Sequence, residues 1–175
     1  ETTWRDCQAC PNRAPPEETA RFMQGAPNGW RLMPEHRDYS VRMRRLLPKH
    51  WTDRGSSARF QSRVLRDEYF TFQVAVVAGS APVSDVRVAF ERFPADWSKT
   101  LTCFNMGGVD ENGRPFTKTI SVPAGEVQPL WIGVLVPASQ RPGTVEGDVV
   151  VSTPFGRQTV TVSLAVGTES ARNHG

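Results

Sequence analysis

Apolar and polar residues alternate with a period of two along most of the chain after residue 57, which is the pattern of β-strands. The alternation is clearest in residues 69–78, where Phe70, Phe72 and Val74 fall on one face and the intervening residues on the other. Similar short runs follow, separated by turn signals rich in Gly, Pro and Asn. The predicted strands are residues 58–64, 69–78, 83–90, 100–105, 116–122, 130–136, 144–152 and 159–166.

About eight short strands at turn spacings near ten residues are typical of an immunoglobulin-like fold. We therefore predict an all-β, antiparallel β-sandwich over residues 58–167, followed by a frayed tail over residues 168–175. The Pro142-Gly143 turn lies between two apolar runs. This arrangement predicts that residues 130–136 and 144–152 are adjacent antiparallel strands.

Residues 1–57 lack the alternation, because Pro and Gly clusters such as Pro15-Pro16 interrupt it. We predict an irregular, Pro- and Arg-rich N-terminal arm there. One short helix is expected at residues 16–23, where two Glu residues follow Pro16 at a favourable helix start. A short edge strand is expected at residues 39–47, because Val41 and Met43 alternate with arginines before Pro48.

With 175 residues, the chain is long enough to bury its own hydrophobic core. The net charge is +3, and the basic excess comes largely from the first third, where arginines are interleaved with aromatic residues. Nucleic-acid surfaces use such mixtures, but acidic residues intersperse the run and no recognised binding motif accompanies it. We predict a solvated or partner-contacting face that does not bind nucleic acid. The apolar runs are far shorter than the roughly 18 residues of a membrane-spanning helix, so no membrane insertion is expected.

The three cysteines are Cys7, Cys10 and Cys103. Two thiolates at the Cys7/Cys10 spacing form half of a zinc knuckle or a redox motif, but no second half is present in the sequence. We predict no metal site. All three cysteines are disulfide candidates, with Cys103 as a partner for one of the pair and the odd thiol free or bonded to another chain.

The sequence shows no strong pattern of residues that is typical of a catalytic site. Asp67 and Glu68 are adjacent on a strand, so their side chains point to opposite faces and do not form a cooperating acid pair. Asp110 and Glu111 precede the Asn112-Gly113 turn, where Asp commonly bonds its own backbone. The histidines show no sequence pattern that would pair them with a nucleophile. We predict no catalytic residue and no cofactor.

Candidate contact residues for a glycan or a protein partner are two tryptophans and two loop residues. An indole face can stack on a sugar ring, and Trp51 and Trp97 both lie next to irregular sequence. Trp131 lies within a predicted strand and is expected in the core. The exposed turn adds Asp110 and Asn112 as polar contacts.

Several segments together carry a family resemblance. They resemble the N-terminal β-sandwich domain of glycoside hydrolase family 123 and its uncharacterised relatives, over about residues 31–166. The most specific segments are Phe104-Asn105-Met106-Gly107-Gly108 and Pro115-Phe116-Thr117-Lys118-Thr119. The others are residues 33–43, 66–73, 103, 109–110, 113–114, 122–126 and 130–131.

This resemblance implies a non-catalytic domain that packs on a catalytic-type barrel and shapes glycan access. In that family the catalytic carboxylates, which act on N-acetylgalactosaminides, belong to a following (β/α)8 barrel, which needs roughly 200 residues or more. The full-length parent would then be a glycoside hydrolase, while this chain would not catalyse. The alternative is a protein-interaction module that docks a partner chain through its N-terminal arm. In either case we expect a secreted or cell-surface location.

Overall fold

The computed structural model describes residues 13–171. Within this range the chain forms eleven strands and three short α-helices. The helices are α1 (Pro16–Met23), α2 (Lys49–Arg54) and α3 (Ala95–Ser98). The strands are β1 (Trp30–His36), β2 (Arg59–Arg66), β3 (Tyr69–Ala78), β4 (Val83–Glu91), β5 (Thr102–Cys103), β6 (Gly107–Val109), β7 (Pro115–Thr117), β8 (Ile120–Val122), β9 (Val127–Leu135), β10 (Gly143–Thr153) and β11 (Gly156–Ser170).

Two sheets face each other across the main hydrophobic core. A four-stranded sheet has the order β1-β3-β9-β5, and a five-stranded sheet has the order β2-β11-β10-β4-β8. Phe70 and Phe72 on β3 and Val160 and Val162 on β11 belong to the core cluster between them and are fully buried. The predicted all-β sandwich is confirmed. None of the helices between residues 13 and 171 is long and apolar enough to cross a membrane.

One strand pair departs from the predicted antiparallel arrangement. β2 pairs with β11 in parallel, with Arg59 opposite Thr161 and Val64 opposite Val166. After β2 the chain turns through Asp67, whose φ is 59°, and continues as β3 in the other sheet. No hairpin therefore imposes an antiparallel direction on β2, and it lies beside a strand that is distant in sequence.

The prediction that the strands on either side of Pro142-Gly143 are neighbours is wrong. β9 lies in the four-stranded sheet and β10 in the five-stranded sheet. The residues between Leu135 and Gly143 carry the chain from one sheet to the other. The predicted strand at residues 116–122 is also divided, because β7 pairs with β6 in a separate hairpin and β8 forms an edge of the five-stranded sheet.

The first strand lies earlier than the sequence pattern indicates. Trp30–His36 pairs along its full length with β3, whereas residues 39–47 form no strand. β1 shows no alternation because it is buried on both faces, with Leu32 in the main core and Met33 on the other side of the sheet. Pro34 is tolerated because β1 is an edge strand.

The N-terminal segment, by which we mean residues 14–23 and 39–54 on either side of β1, covers part of the outer face of the four-stranded sheet. A second cluster joins Met33, Ala75 and Val77 of the sheet to Leu47 and Trp51 of this segment. The predicted helix at residues 16–23 is present as α1, and two of its residues, Phe22 and Met23, pack against this cluster. β3 is consequently buried on both faces over most of its length. At the other end, β11 continues to Ser170, beyond the predicted start of the frayed tail.

Candidate functional site: the outer face of the four-stranded sheet

A buried carboxylate lies on the edge strand of the covered part of this face. Glu35 on β1 is only 4% exposed. Its Oε2 accepts hydrogen bonds from Trp51 Nε1 and His50 Nε2, both at 2.6 Å, and its Oε1 accepts from the backbone N–H of His36 at 2.9 Å. The Arg54 guanidinium lies 3.5 Å from Oε2. Glu35 thus connects β1 directly to α2.

The Glu35 carboxyl is held in its ionised form. Burial raises the pKa of this group, but hydrogen bonds from His50, Trp51 and the His36 backbone, together with the charge of Arg54, bring the pKa below its usual value. A general acid at neutral pH needs the opposite shift. With its oxygens occupied by protein donors, Glu35 acts as an anchor for α2.

A buried amide anchors the loop that follows β1. Gln73 on β3 is fully buried. Its Oε1 accepts a hydrogen bond from Val41 N at 3.0 Å, and its Nε2 donates to the carbonyls of His36 and Tyr39 at 3.2 and 3.3 Å. The loop at residues 39–41 therefore bonds to a side chain of the sheet instead of adding a backbone-paired strand.

The remaining part of the same face is open and apolar. Tyr69 on β3 is 48% exposed, Phe104 after β5 is 43% exposed and Leu135 on β9 is 37% exposed. Strand register places Tyr69 directly opposite Leu135 and Thr71 opposite Gly133. We call Tyr69, Phe104, Gly133 and Leu135 the aromatic patch.

Gly133 makes the geometry of the aromatic patch possible. Its neighbours Ile132 and Val134 point into the main core, so a side chain at 133 would point outwards. A Cβ atom there would lie 2.6 Å from Tyr69 Oη and 2.7 Å from Phe104 Cε2. The two rings therefore converge over the glycine, with centroids 6.2 Å apart and planes at 47°.

The two tryptophans predicted as contact residues are fully buried, and this corrects that expectation. Trp51 packs in the second cluster and donates to Glu35. Trp97 belongs to the main core, and its Nε1 donates to Gln140 Oε1 at 3.0 Å. Neither indole presents a face to a ligand. Trp131, expected in the core, is partly buried, and its register opposite Gln73 places it on the outer face of the sheet.

The two predicted loop contacts are exposed at the tip of the β6–β7 hairpin. Asp110 Oδ1 accepts hydrogen bonds from the backbone N–H groups of Asn112 and Arg114, both at 2.9 Å. Asp110 therefore bonds the backbone of its own turn, as predicted. A contact of Asp110 or Asn112 with a glycan or a partner stays a prediction.

Cys103 on β5 is a free, buried thiol, not half of a disulfide. Burial raises the pKa of this thiol to about 11. Cys7 and Cys10 lie outside the described residues, so their pairing stays a prediction. Across residues 13–171, no group of three or more His, Cys, Asp and Glu side chains is placed to hold a metal ion.

Comparisons with known proteins give information on the fold. No family model matches the chain, and no curated protein sequence matches it. The structure is similar to a family 123 glycoside hydrolase from Clostridium perfringens that was analysed for glycolipid glycan hydrolysis, with a TM-score of 0.57 and 13% identity. The match covers 82% of this chain and 28% of that chain. At this identity the match shows a common fold.

Two further structures are less similar. The N-terminal domain of PorA matches with a TM-score of 0.44 and 12% identity, over 80% of this chain and 100% of that one. The CooA pilin subunit from enterotoxigenic Escherichia coli matches with a TM-score of 0.34 and 11% identity, over 82% of this chain and 99% of that one.

Proposed function

We propose that this chain is a non-catalytic β-sandwich domain of a glycoside-hydrolase-like polypeptide. It packs on a catalytic-type barrel that acts on N-acetylgalactosaminides and shapes glycan access to that barrel. The observation that carries this proposal is the asymmetric coverage of the structural match. A similar fold accounts for 82% of this chain but for 28% of the family 123 glycoside hydrolase chain, as expected for one domain of a larger enzyme.

The geometry of the outer sheet face is consistent with this role. The buried carboxylate of Glu35 is ionised and fully engaged in holding α2, so it serves packing. The aromatic patch, in contrast, exposes three large side chains on the part of the outer face that the N-terminal segment does not cover. Exposed contiguous apolar surface of this kind is typical of interaction sites.

The proposal is tested by comparing two proteins for hydrolysis of a chromogenic N-acetylgalactosaminide. We expect no release of the chromophore by residues 1–175, with circular dichroism confirming that the chain is folded. We expect turnover by the full-length polypeptide that contains this chain. Turnover by residues 1–175 would contradict the non-catalytic role, and an inactive full-length polypeptide would contradict the assignment to a hydrolase.

The alternative role, docking of a separate partner chain through the N-terminal arm, is also a proposal. It predicts that a partner remains bound when the protein is purified from its native source and that chemical cross-links to this partner fall within residues 1–57. A secreted or cell-surface location is likewise proposed. It predicts that the native protein is recovered from the medium or the cell envelope, and recovery from the cytoplasm alone would contradict it.

A further inference from the structure

We propose that the aromatic patch is the surface that docks the neighbouring domain, and that it receives an uncharged, aliphatic helical surface of that domain. This inference rests on the proposed function and identifies the face that performs it. The occupant is a protein surface belonging to the same polypeptide.

The patch is continuous with an interface that already exists in this chain. The outer face of the four-stranded sheet is covered around Met33, Ala75 and Val77 by α1, α2 and the segment that contains Leu47. The patch continues this face along β3 and β9, since Tyr69 and Thr71 lie on the same side of β3 as Ala75 and Val77. The covered part shows that helices fit against this sheet, and the open part has space for another.

The side chains of the patch are apolar and uncharged. Tyr69, Phe104 and Leu135 are exposed by 48%, 43% and 37%. The outer-face neighbours of Gly133 across the strands are Thr71 and Thr102, which are also uncharged. An uncharged apolar surface is matched by an aliphatic partner surface, because burying a charge without a counter-ion costs free energy.

The geometry of the patch favours a protein occupant over a glycan. The rings of Tyr69 and Phe104 are tilted by 47° to each other, so they do not form one flat platform for sugar stacking. The nearby hydroxyl of Thr100 is already used, since it accepts from the N–H of Leu135 at 3.1 Å and donates to the carbonyl of Trp97. The Thr100 hydroxyl is therefore committed to the backbone and does not serve as a directed polar contact for a sugar beside the rings.

The test is hydroxyl-radical footprinting of the isolated chain and of the full-length polypeptide, read by mass spectrometry. We expect oxidation of Tyr69 and Phe104 to fall several-fold in the full-length protein. Phe155, which is 56% exposed in the β10–β11 turn, is the matched control and should be oxidised equally in both.

The outcomes distinguish this inference from the proposed function. Protection only elsewhere, for instance at Met23 beside the apolar groove of about 530 Å³ next to α1, would overturn the patch assignment and leave domain packing intact. If no residue is protected, both proposals fail. Retention of the isolated chain on a glycan array that is lost in Phe104→Ala, with the fold preserved, would assign the patch to glycan binding and overturn a protein occupant.

Discussion

Glu35 on β1 lies directly opposite Gln73 on β3, and both polar side chains are buried under the N-terminal segment. The carboxylate holds α2 through Trp51 and His50, and the amide holds the loop around Val41. Buried polar groups stabilise a structure when their hydrogen bonds are made, and here the partners are the His36 backbone and groups of residues 39–51. This cross-strand pair therefore fixes where the loop after β1 and helix α2 pack on the sheet.

Replacing the carboxylate tests the role of Glu35. We expect Glu35→Gln to lower the free energy of unfolding by about 1–3 kcal/mol, because the amide places an N–H₂ group among hydrogen-bond donors. The measurement is chemical denaturation followed by tryptophan fluorescence. Glu111→Gln at the exposed hairpin is the matched control and should change stability little. Equal effects of the two substitutions would show that Glu35 is not a structural anchor.

Acidification should destabilise the protein in a defined pH range. Burial raises the pKa of Glu35, but its hydrogen bonds and the charge of Arg54 bring the pKa below its usual value, and the pKa of Asp148 is lowered chiefly by Arg92. A carboxyl whose folded-state pKa is depressed stabilises the fold above its unfolded pKa, which is 4.5 for Glu35. That contribution is lost as the pH falls through the folded-state pKa.

The free energy of unfolding should therefore fall as the pH is lowered below about 4.5. The decrease should be shallower in Glu35→Gln than in the unmodified protein. Parallel pH profiles of the two proteins would mean that Glu35 titrates alike in the folded and unfolded states.

Two glycines that lie under aromatic rings should respond differently to an added methyl group. A Cβ atom at Gly147 would lie 2.3 Å from Cγ of Phe93, a buried ring in the core. The atoms that oppose a Cβ at Gly133 belong to the exposed rings of Tyr69 and Phe104, which have space to rotate. We expect Gly147→Ala to cost about 1–3 kcal/mol and Gly133→Ala clearly less. Thermal denaturation of both variants measures this difference, and a reversed order would contradict the packing described.

Cys103 should be unreactive in the folded protein. Burial raises the pKa of this thiol to about 11, and the thiolate is the reactive form. In a Cys7→Ser, Cys10→Ser background we expect no reaction with a disulfide thiol reagent at pH 8 until guanidinium is added. Rapid stoichiometric labelling of the native protein would show that β5 exposes this residue.

The sequence pattern predicts the sandwich strands well because one of their faces is buried. The same alternation predicts that Tyr69 and Phe70 lie on opposite faces of β3. It misses β1, because Leu32 and Met33 are buried on opposite sides of the sheet and leave no alternation. A strand of this kind is recognisable only when the covering layer is known.

The candidate site is harder to predict than the fold. Trp51 and Trp97 lie next to irregular sequence, yet tertiary packing buries both indoles. The aromatic patch depends on Phe104 and Tyr69 meeting over Gly133, and these residues come from three different strands or their ends. The local sequence does not specify this contact between the two rings, because the contact follows from strand order and register.

Domain docking through the aromatic patch is tested most directly by measuring how much Phe104→Ser lowers the free energy of unfolding in the full-length polypeptide and in the isolated chain. Phe155→Ser is measured in both proteins as the control. Phe104 is 43% exposed in the isolated chain. Complete burial of an exposed Phe side chain contributes about 1.5–3 kcal/mol, so covering the exposed part of Phe104 contributes about 1 kcal/mol. We predict that Phe104→Ser destabilises this domain by that additional amount in the full-length polypeptide, while Phe155→Ser has equal effects in both proteins. Equal effects of Phe104→Ser in the two proteins would contradict docking through this face.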